Sequence, residues 1–286
     1  MKILVLILTL VSSNNAFALV LVQEPTGKVL SQKINKYTEK EIKNVGSSEE
    51  KKYYLGLLTI NGDKGFNIEK NCGKGVELLK MASADGVSDA DYVLGSIYYN
   101  GYCVKENRDL SLKYYLTSAK DGYLLSQRAL GRAYWGRQWE DLVPVDMSKS
   151  IYWLSLAAKS GDRQSAGNLS YIYRDGIGVE ENPSKAFYWM KASTKAKYTE
   201  SEGIGFSTLA SYYELGYGTN VDLIKSYKYY DLSGTAGVDG KNRVVKNMTE
   251  GEIQEAIKQS RAWQEEHNTF VPSYYGLEHQ SDGSYR

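Results

Sequence analysis

The sequence predicts an all-α protein: an α/α solenoid of about five helix–turn–helix repeats with N- and C-terminal capping segments. One stretch, Asn168–Ala192, reads as a complete helical hairpin, and its features return at four other places in the chain. Helix-start signals also stand where the ends of such an array need covering.

In Asn168–Ala192 an apolar helical pattern ends at Gly176-Ile177-Gly178, a polar loop follows, and Asn182-Pro183 opens a second helix. Asn caps a helix because its side-chain oxygen accepts from an orphan backbone N–H. Pro at the first helical position loses no bond, since that N–H has no partner anyway.

The second helices align on the cap. Asn71, Asn107, Asp146, Asn182 and Asp222 are separated by 36, 39, 36 and 40 residues. Four residues past each cap stands a small residue (Gly75, Ser111, Ser150, Ala186, Ser226), and seven past stands a large one (Leu78, Tyr114, Trp153, Trp189, Tyr229). Eight past stand Leu79, Tyr115, Leu154, Met190 and Tyr230, and eleven past stand Ala82, Ser118, Ala157, Ser193 and Ser233. These spacings trace one helical face. Fifteen past, Gly86, Gly122, Gly161 and Gly237 read as left-handed helix ends, with Lys197 in that column of repeat four.

The first helices align on Leu55, Leu94, Leu130, Leu169 and Leu209, each followed by Gly56, Gly95, Gly131, Ser170 or Ala210. Four past each leucine come Thr59, Tyr98, Tyr134, Tyr173 and Tyr213. Turn glycines follow at Gly62, Gly101, Gly176 and Gly216, while repeat three has Arg137 beside Gly136. The leucine-to-cap distance is 13 in repeats two, four and five and 16 in repeats one and three, an insertion that an exposed turn tolerates.

This column pattern resembles the Sel1-like repeat, a relative of the tetratricopeptide repeat. The resemblance is carried by Leu-Gly-x-x-Tyr-x-x-Gly-x-Gly-Val and the downstream Lys-Ala-x-x-Trp, cleanest over Leu169–Ala192, and it covers residues 47–237. It implies a right-handed solenoid whose ligands are held on the concave face lined by the first helix of each hairpin. It does not by itself imply a particular function.

Around the repeats, residues 1–18 read as a cleavable signal peptide. Lys2 gives the positive start, Ile3–Val11 the apolar stretch, and Ala16-Phe17-Ala18 the small-x-small cleavage site. The apolar run is too short to span a bilayer; an uncleaved N-terminal anchor is the alternative. Removing Lys2 leaves 34 basic and 34 acidic residues, a balance unlike that of a nucleic-acid or anionic-membrane binder. Residues 19–46 form an N-terminal extension, extended at first, with 34–45 fitting a polar capping helix. Residues 238–268 read as a basic linker and a C-terminal capping helix, begun by Thr249 with Glu252 as a capping box and striped by Ile253, Ile257 and Trp263. Residues 269–286 are a polar tail. The expected localisation is periplasmic or secreted, as one continuous body.

Little in the sequence points to chemistry. The two histidines, His267 and His279, have no clustered ligand partners, so no metal site and no cofactor is expected. No histidine stands in the repeat body to serve a Ser-His-Asp triad. Gly203-Ile204-Gly205 follows no strand and so reads as a repeat junction rather than a phosphate loop. The paired Glu180 and Glu181 fall in a loop, and nothing selects a carboxylate pair for hydrolysis.

The first helices leave one face away from the core, at positions two before, two after and five after the column leucine. These are Tyr92, Ser96 and Tyr99 in repeat two, Arg128, Arg132 and Trp135 in repeat three, and Gly167, Tyr171 and Arg174 in repeat four. Tyr, Trp and Arg are the residues enriched in binding hot spots. The expected partner is another protein with an acidic or acidic–aromatic segment; the alternative is a solvated face whose arginines balance Asp175 and Glu140. Arg132 and Trp135 lie outside the core columns, so their replacement is expected to leave folding nearly intact. The expected function is a non-enzymatic protein–protein interaction scaffold. The family resemblance adds a sub-reading, an immunity protein against an envelope-targeted toxin such as a type VI phospholipase effector, beside host-interaction or envelope-signalling adaptors. The alternative is a peptidoglycan-binding protein or cell-wall-directed enzyme. Finally, Cys72 and Cys103 take places on one edge of adjacent hairpins in an exported chain, and a disulfide between them is expected.

Overall fold

The computed structural model describes residues 18–23, 27–196 and 205–267. The expected leader up to residue 17, Lys197, Gly203 and Ile204, His279 and the polar tail lie outside the described residues. Apart from the isolated bridges Leu19–Val87 and Asp63–Ile68, all regular structure among the described residues is helical. The chain falls into two compact units, residues 1–123 and 124–286.

The first unit holds α1 (Gly27–Ile34), α2 (Glu39–Lys43) and the hairpins α3 (Glu49–Asn61) with α4 (Cys72–Ala84) and α5 (Ser88–Asn100) with α6 (Arg108–Lys120). The second holds three hairpins: α7 (Leu124–Tyr134) with α8 (Met147–Lys159), α9 (Arg163–Asp175) with α10 (Pro183–Ser193), and α11 (Phe206–Leu215) with α12 (Leu223–Leu232). It ends with α13 (Val238–Val244) and α14 (Glu250–Glu266).

Each hairpin is closed by the same two hydrogen bonds. The side chains of Asn71, Asn107, Asp146, Asn182 and Asp222 accept from the amides three residues on, at 2.9–3.0 Å. The amides of these same residues donate back to the carbonyls of Thr59, Tyr98, Tyr134, Tyr173 and Tyr213, at 2.8–3.0 Å. The cap therefore satisfies an orphan N–H of the second helix and ties it to the first.

The small columns let the paired helices approach. A Cβ added at Gly131 would lie 2.6 Å from Leu154 Cγ, and one at Gly95 2.9 Å from the Tyr115 ring. Ser111 and Ser150, on the second helices, donate to the Gly95 and Gly131 carbonyls at 2.8 Å. In repeat four the roles reverse: Ser170, on the first helix, donates to the Ala186 carbonyl at 2.8 Å. A hydroxyl on either helix spans the same gap. The column leucines are buried throughout, as are Trp153 and Trp189 at 6% and 8% exposure.

Gly86, Gly122 and Gly161 take φ of 90–98°, as expected of helix ends. Gly237 does not. Its φ is −99°, and a Cβ there would meet the Tyr230 carbonyl oxygen at 1.8 Å. Glycine is needed at this point for close approach, because a 3-10 turn at Gly234–Gly237 folds over the end of α12. The stretch read as a linker is accordingly helical over α13. The C-terminal helix starts at Thr249 with the expected capping box. Its most buried line is Ala256, Ser260 and Gln264, with Ile253 and Ile257 packing at the edge. Ser260 donates to Asp231 at 2.6 Å, and Lys241 pairs with the other oxygen of that carboxylate at 2.8 Å.

In the first unit, Cys72 and Cys103 are bonded, with Cα atoms 5.3 Å apart. Cys103 has φ of 65°, the left-handed conformation that Gly178 and Gly218 adopt at the matching turn places.

Candidate partner-binding faces

In the first unit, Tyr92, Ser96 and Tyr99 lie along α5, all half-buried. The Tyr92 ring stands edge-on to Tyr115 and Tyr123, with centroids 5.6 and 5.4 Å away. Ser96 Oγ accepts from the Asn100 amide group at 3.3 Å. The Arg108 guanidinium sits 4.0 Å from the Tyr99 ring centroid, donates to the Tyr99 carbonyl and pairs with Glu106 at 3.2 Å. Arg108, from the second helix, is thus a member of this face that a first-helix rule passes over.

In the second unit the arginines separate into different roles. Arg128 Nη1 pairs at 3.0 Å with Asp162, which is 1% exposed and caps α9 by accepting from the Ser165 amide at 2.6 Å. The guanidinium joins α7 to the start of α9, a structural tie. Arg132 is half-buried, and among the described residues its guanidinium has no ion pair or ring contact. Trp135 differs from expectation: it packs against the core formed by Leu154, Leu169 and Trp189, with the Arg137 guanidinium 5.2 Å above its ring. Its replacement therefore disturbs folding as well as the surface. The reason is size, since an indole five residues past the column leucine reaches the neighbouring core from a nominally outer position.

Tyr171 and Arg174, on α9, form the most exposed element of the predicted set. Tyr171 is 40% exposed, and the Arg174 guanidinium lies 4.6 Å from its ring centroid. Arg174 makes two parallel bonds to Asp175, at 2.6 and 2.8 Å. The pairing pushes the Arg174 pKa up and holds the Asp175 carboxyl below the usual carboxylate range. Gly167 faces open space. Arg174 also borders a cleft of about 400 Å³ lined by Ser207, Thr208, Ser211, Tyr212, Leu215 and Tyr217. Tyr217 Oη donates to the Arg174 carbonyl at 3.3 Å, its ring lies 5.0 Å from that of Tyr212, and Leu215 is 71% exposed. Ser207 and Ser211 are the positions two before and two after Leu209, so the rule used for repeats two to four finds them when extended to repeat five.

The cleft offers hydroxyls, aromatic rings, one exposed leucine and an ion pair already neutralised within itself. Such a surface suits binding: the carboxylate bonded to Arg174 at its border, Asp175, is held charged and unfit to exchange protons near neutral pH. His267 stacks on Trp263 at 4.0 Å, and among the described residues no group of His, Cys, Asp and Glu could hold a metal ion. Among the described residues no helix is long and apolar enough to cross a membrane.

Five hairpins with a common cap, a common small-residue seam and a leucine column define an α/α repeat protein. The Sel1 repeat model matches residues 52–87, 88–123, 124–162, 164–198 and 209–238, and the chain belongs to the Sel1 repeat family. Sel1 repeat proteins are generally protein-interaction scaffolds, and the fold is typically non-enzymatic. The chain is 24% identical over 160 residues to an uncharacterised protein of Neisseria meningitidis, covering 56% of this chain and 32% of the relative. It is 34% identical over 100 residues to the activator of C kinase protein 1 of Saccharomyces cerevisiae, covering 33% of this chain and 16% of the relative. The chain thus spans under a third of the length of these curated relatives. Among solved structures it is similar to a protective antigen present in uropathogenic Escherichia coli strains displaying an SLR fold. That match has a TM-score of 0.56 and 22% identity, and covers 89% of this chain and 51% of that one. It is also similar to a Sel1 repeat protein from Oxalobacter formigenes, with a TM-score of 0.58, 20% identity and coverage of 72% and 83%.

Proposed function

We propose that this chain is an exported, non-enzymatic scaffold that grips a partner protein through the outer faces of its first helices. The observation that carries the reading is the Tyr171–Arg174 pair beside the α11 cleft: an exposed ring and an exposed Leu215, held by fixed neighbours around a concave surface. Rigid aromatic anchors bind at low entropic cost. Because Asp175 already neutralises Arg174, this cleft fits an uncharged or aromatic segment of the partner. An acidic segment fits Arg132 better. Within the same reading, the partner is a toxin that acts on the cell envelope, a type VI phospholipase-like effector, and the chain is its immunity protein.

A pull-down from envelope extract, repeated with a Tyr171→Ala/Leu215→Ala chain, tests the reading. Partner affinity is expected to fall by at least about 2 kcal/mol, while the melting temperature stays within about 2 °C, since surface substitutions cost little. Unchanged affinity removes this cleft from the reading. Turnover of muropeptides by the purified protein would overturn the scaffold itself.

A further inference from the structure

The N-terminal extension is seated on repeat two by bonds that the repeat pattern does not call for. Leu19 N–H donates to the Gly86 carbonyl and the Ser88 amide donates to the Leu19 carbonyl, both at 2.9 Å. The amides of Leu21 and Val22 donate to the two carboxylate oxygens of Asp89, at 2.8 and 2.9 Å. Asp89 is fully buried and Val22 is 5% exposed, while Leu21 packs against the core of the first unit. Two other first helices bring a side-chain cap, Ser48 at the start of α3 and Asp162 at the start of α9, while α11 starts at Gly205 without one. Val87, at the start of α5, supplies no side-chain cap, and the Leu19 carbonyl takes that place. In repeats one, three and four the place of Asp89, five before the column leucine, is held by Glu50, Leu125 and Gln164, and Glu50 is half-buried. Among these four repeats the carboxylate at this place is fully buried only in the one that receives the N-terminal strand.

The seated strand begins where the sequence places a cleavage site. Ala16-Phe17-Ala18 is followed directly by Leu19, and Ala18 is exposed. We infer that the protein is cut between Ala18 and Leu19, and that Gly86, Ser88 and Asp89 form the seat of the terminus so created. The cut is a hydrolysis by a leader peptidase: water adds across the amide, leaving a carboxylate on Ala18 and an ammonium on Leu19. The ammonium keeps a donor for the Gly86 carbonyl, and Leu19, at 38% exposure, leaves its remaining protons to water. The four residues beyond the cut are bonded into the fold, and a peptidase needs them extended and free. Cleavage therefore precedes folding of the first unit, and a folded precursor keeps its leader. This inference is independent of the partner-binding face.

Intact-mass measurement of the exported protein tests the cut, and a mature chain starting at Leu19 is expected. A terminus at any other residue overturns the inference. The seat is tested on four purified chains: one starting at Leu19, one starting at Gln23, and each of these carrying Asp89→Asn. Removing residues 19–22 should lower the melting temperature of the first unit by about 5–10 °C, of the order expected for losing a few buried contacts in a unit of this size. Asp89→Asn should lower it by less in the Leu19 chain and by nothing further when placed in the Gln23 chain. Equal melting of the Leu19 and Gln23 chains overturns the seat. Should the Gln23 chain fail to fold alone, a synthetic peptide of sequence LVLVQE restoring its transition supports the seat, and no rescue counts against it.

Discussion

In residues 1–123 two hairpins are held by a covalent bond and a seated strand. In residues 124–286 three hairpins of the same pattern are held by large rings and by cations laid over them. Cys72–Cys103, Asp89 and Asp91 belong to the first unit, whereas all five tryptophans belong to the second. In every hairpin of the second unit a lysine three past the cap lies over the tyrosine four past the column leucine. Lys149 lies 5.3 Å from Tyr134, Lys185 4.8 Å from Tyr173 and Lys225 5.4 Å from Tyr213. The first unit has Lys74 and Leu110 at those places; there Lys80, from the preceding hairpin, lies 5.8 Å from Tyr98, and sulfur joins the two hairpins. The repeat pattern thus fixes the hairpin, while what strengthens it varies along the chain. Cys103 shows the trade most directly. It holds a left-handed φ of 65° where repeats four and five place glycine, a strain of roughly 1–2 kcal/mol for a residue with a side chain.

The sharpest way to break the contrast is at Trp189, whose ring fills the core between α9 and α10. Trp189→Ala should cost the second unit about 3–5 kcal/mol, read as a lower urea midpoint in the fluorescence of the remaining tryptophans. In a nearest-neighbour array the loss spreads to adjoining hairpins of that unit. An unmoved midpoint means the register of repeat four is wrong.

Next in size is the first unit's cross-link. The bond spans 31 residues, and a Cys72→Ser/Cys103→Ser chain should lose about 3–4 kcal/mol by loop entropy. Circular dichroism should register the loss, while tryptophan fluorescence, which reports the second unit alone, keeps its midpoint. Coincident shifts in both signals would show that the two units melt together.

A smaller contrast is expected with pH. Burial pushes Asp89 and Asp91 up to about 6, against the amides of Leu21 and Val22 and the Ser83 hydroxyl, which favour the charged forms. Lys33 also favours the charged form of Asp89, whereas Asp121, itself raised by burial, disfavours that of Asp91. Folded values above the unfolded value of about 3.9 mean that stability is fully present below about pH 4 and is lost as pH rises through about 6. Between pH 5 and 7.5 the first unit should lose about 2 kcal/mol from these two groups. In the second unit the shifts run the other way, since Asp175 and Glu214 are lowered by Arg174 and Arg243 and lose their contribution only in acid. Asp91→Asn should flatten the first unit's profile; a profile unchanged by it would place the titration elsewhere.

The fold was legible because its determinants are local and recur. A cap, a small residue four later and a large one seven later can be checked five times in one chain. What escaped the sequence depends on residues far apart. The partner of Arg128 is Asp162, 34 residues on. Asp89, in the first turn of α5, takes its partners from Leu21 and Val22, 68 and 67 residues earlier. Helical phase places Trp135 on the outer face, and phase gives direction but not reach. Of the expected binding set, Arg174 borders a cleft and stacks on Tyr171, while Arg128 is committed to holding α9.

The two bonds that close each hairpin also say where this chain can change. Between the column leucine and the cap, repeats one and three carry three residues more than the others, yet the cap returns to the same carbonyl in all five. The turn is clamped at its base, so length added above the clamp does not reach the helices. Each hairpin therefore carries a port for insertion. Affinity tags, reporter peptides or a new recognition loop placed just before Asn107, Asn182 or Asp222 should leave the array standing, and natural drift between relatives should collect at the same points.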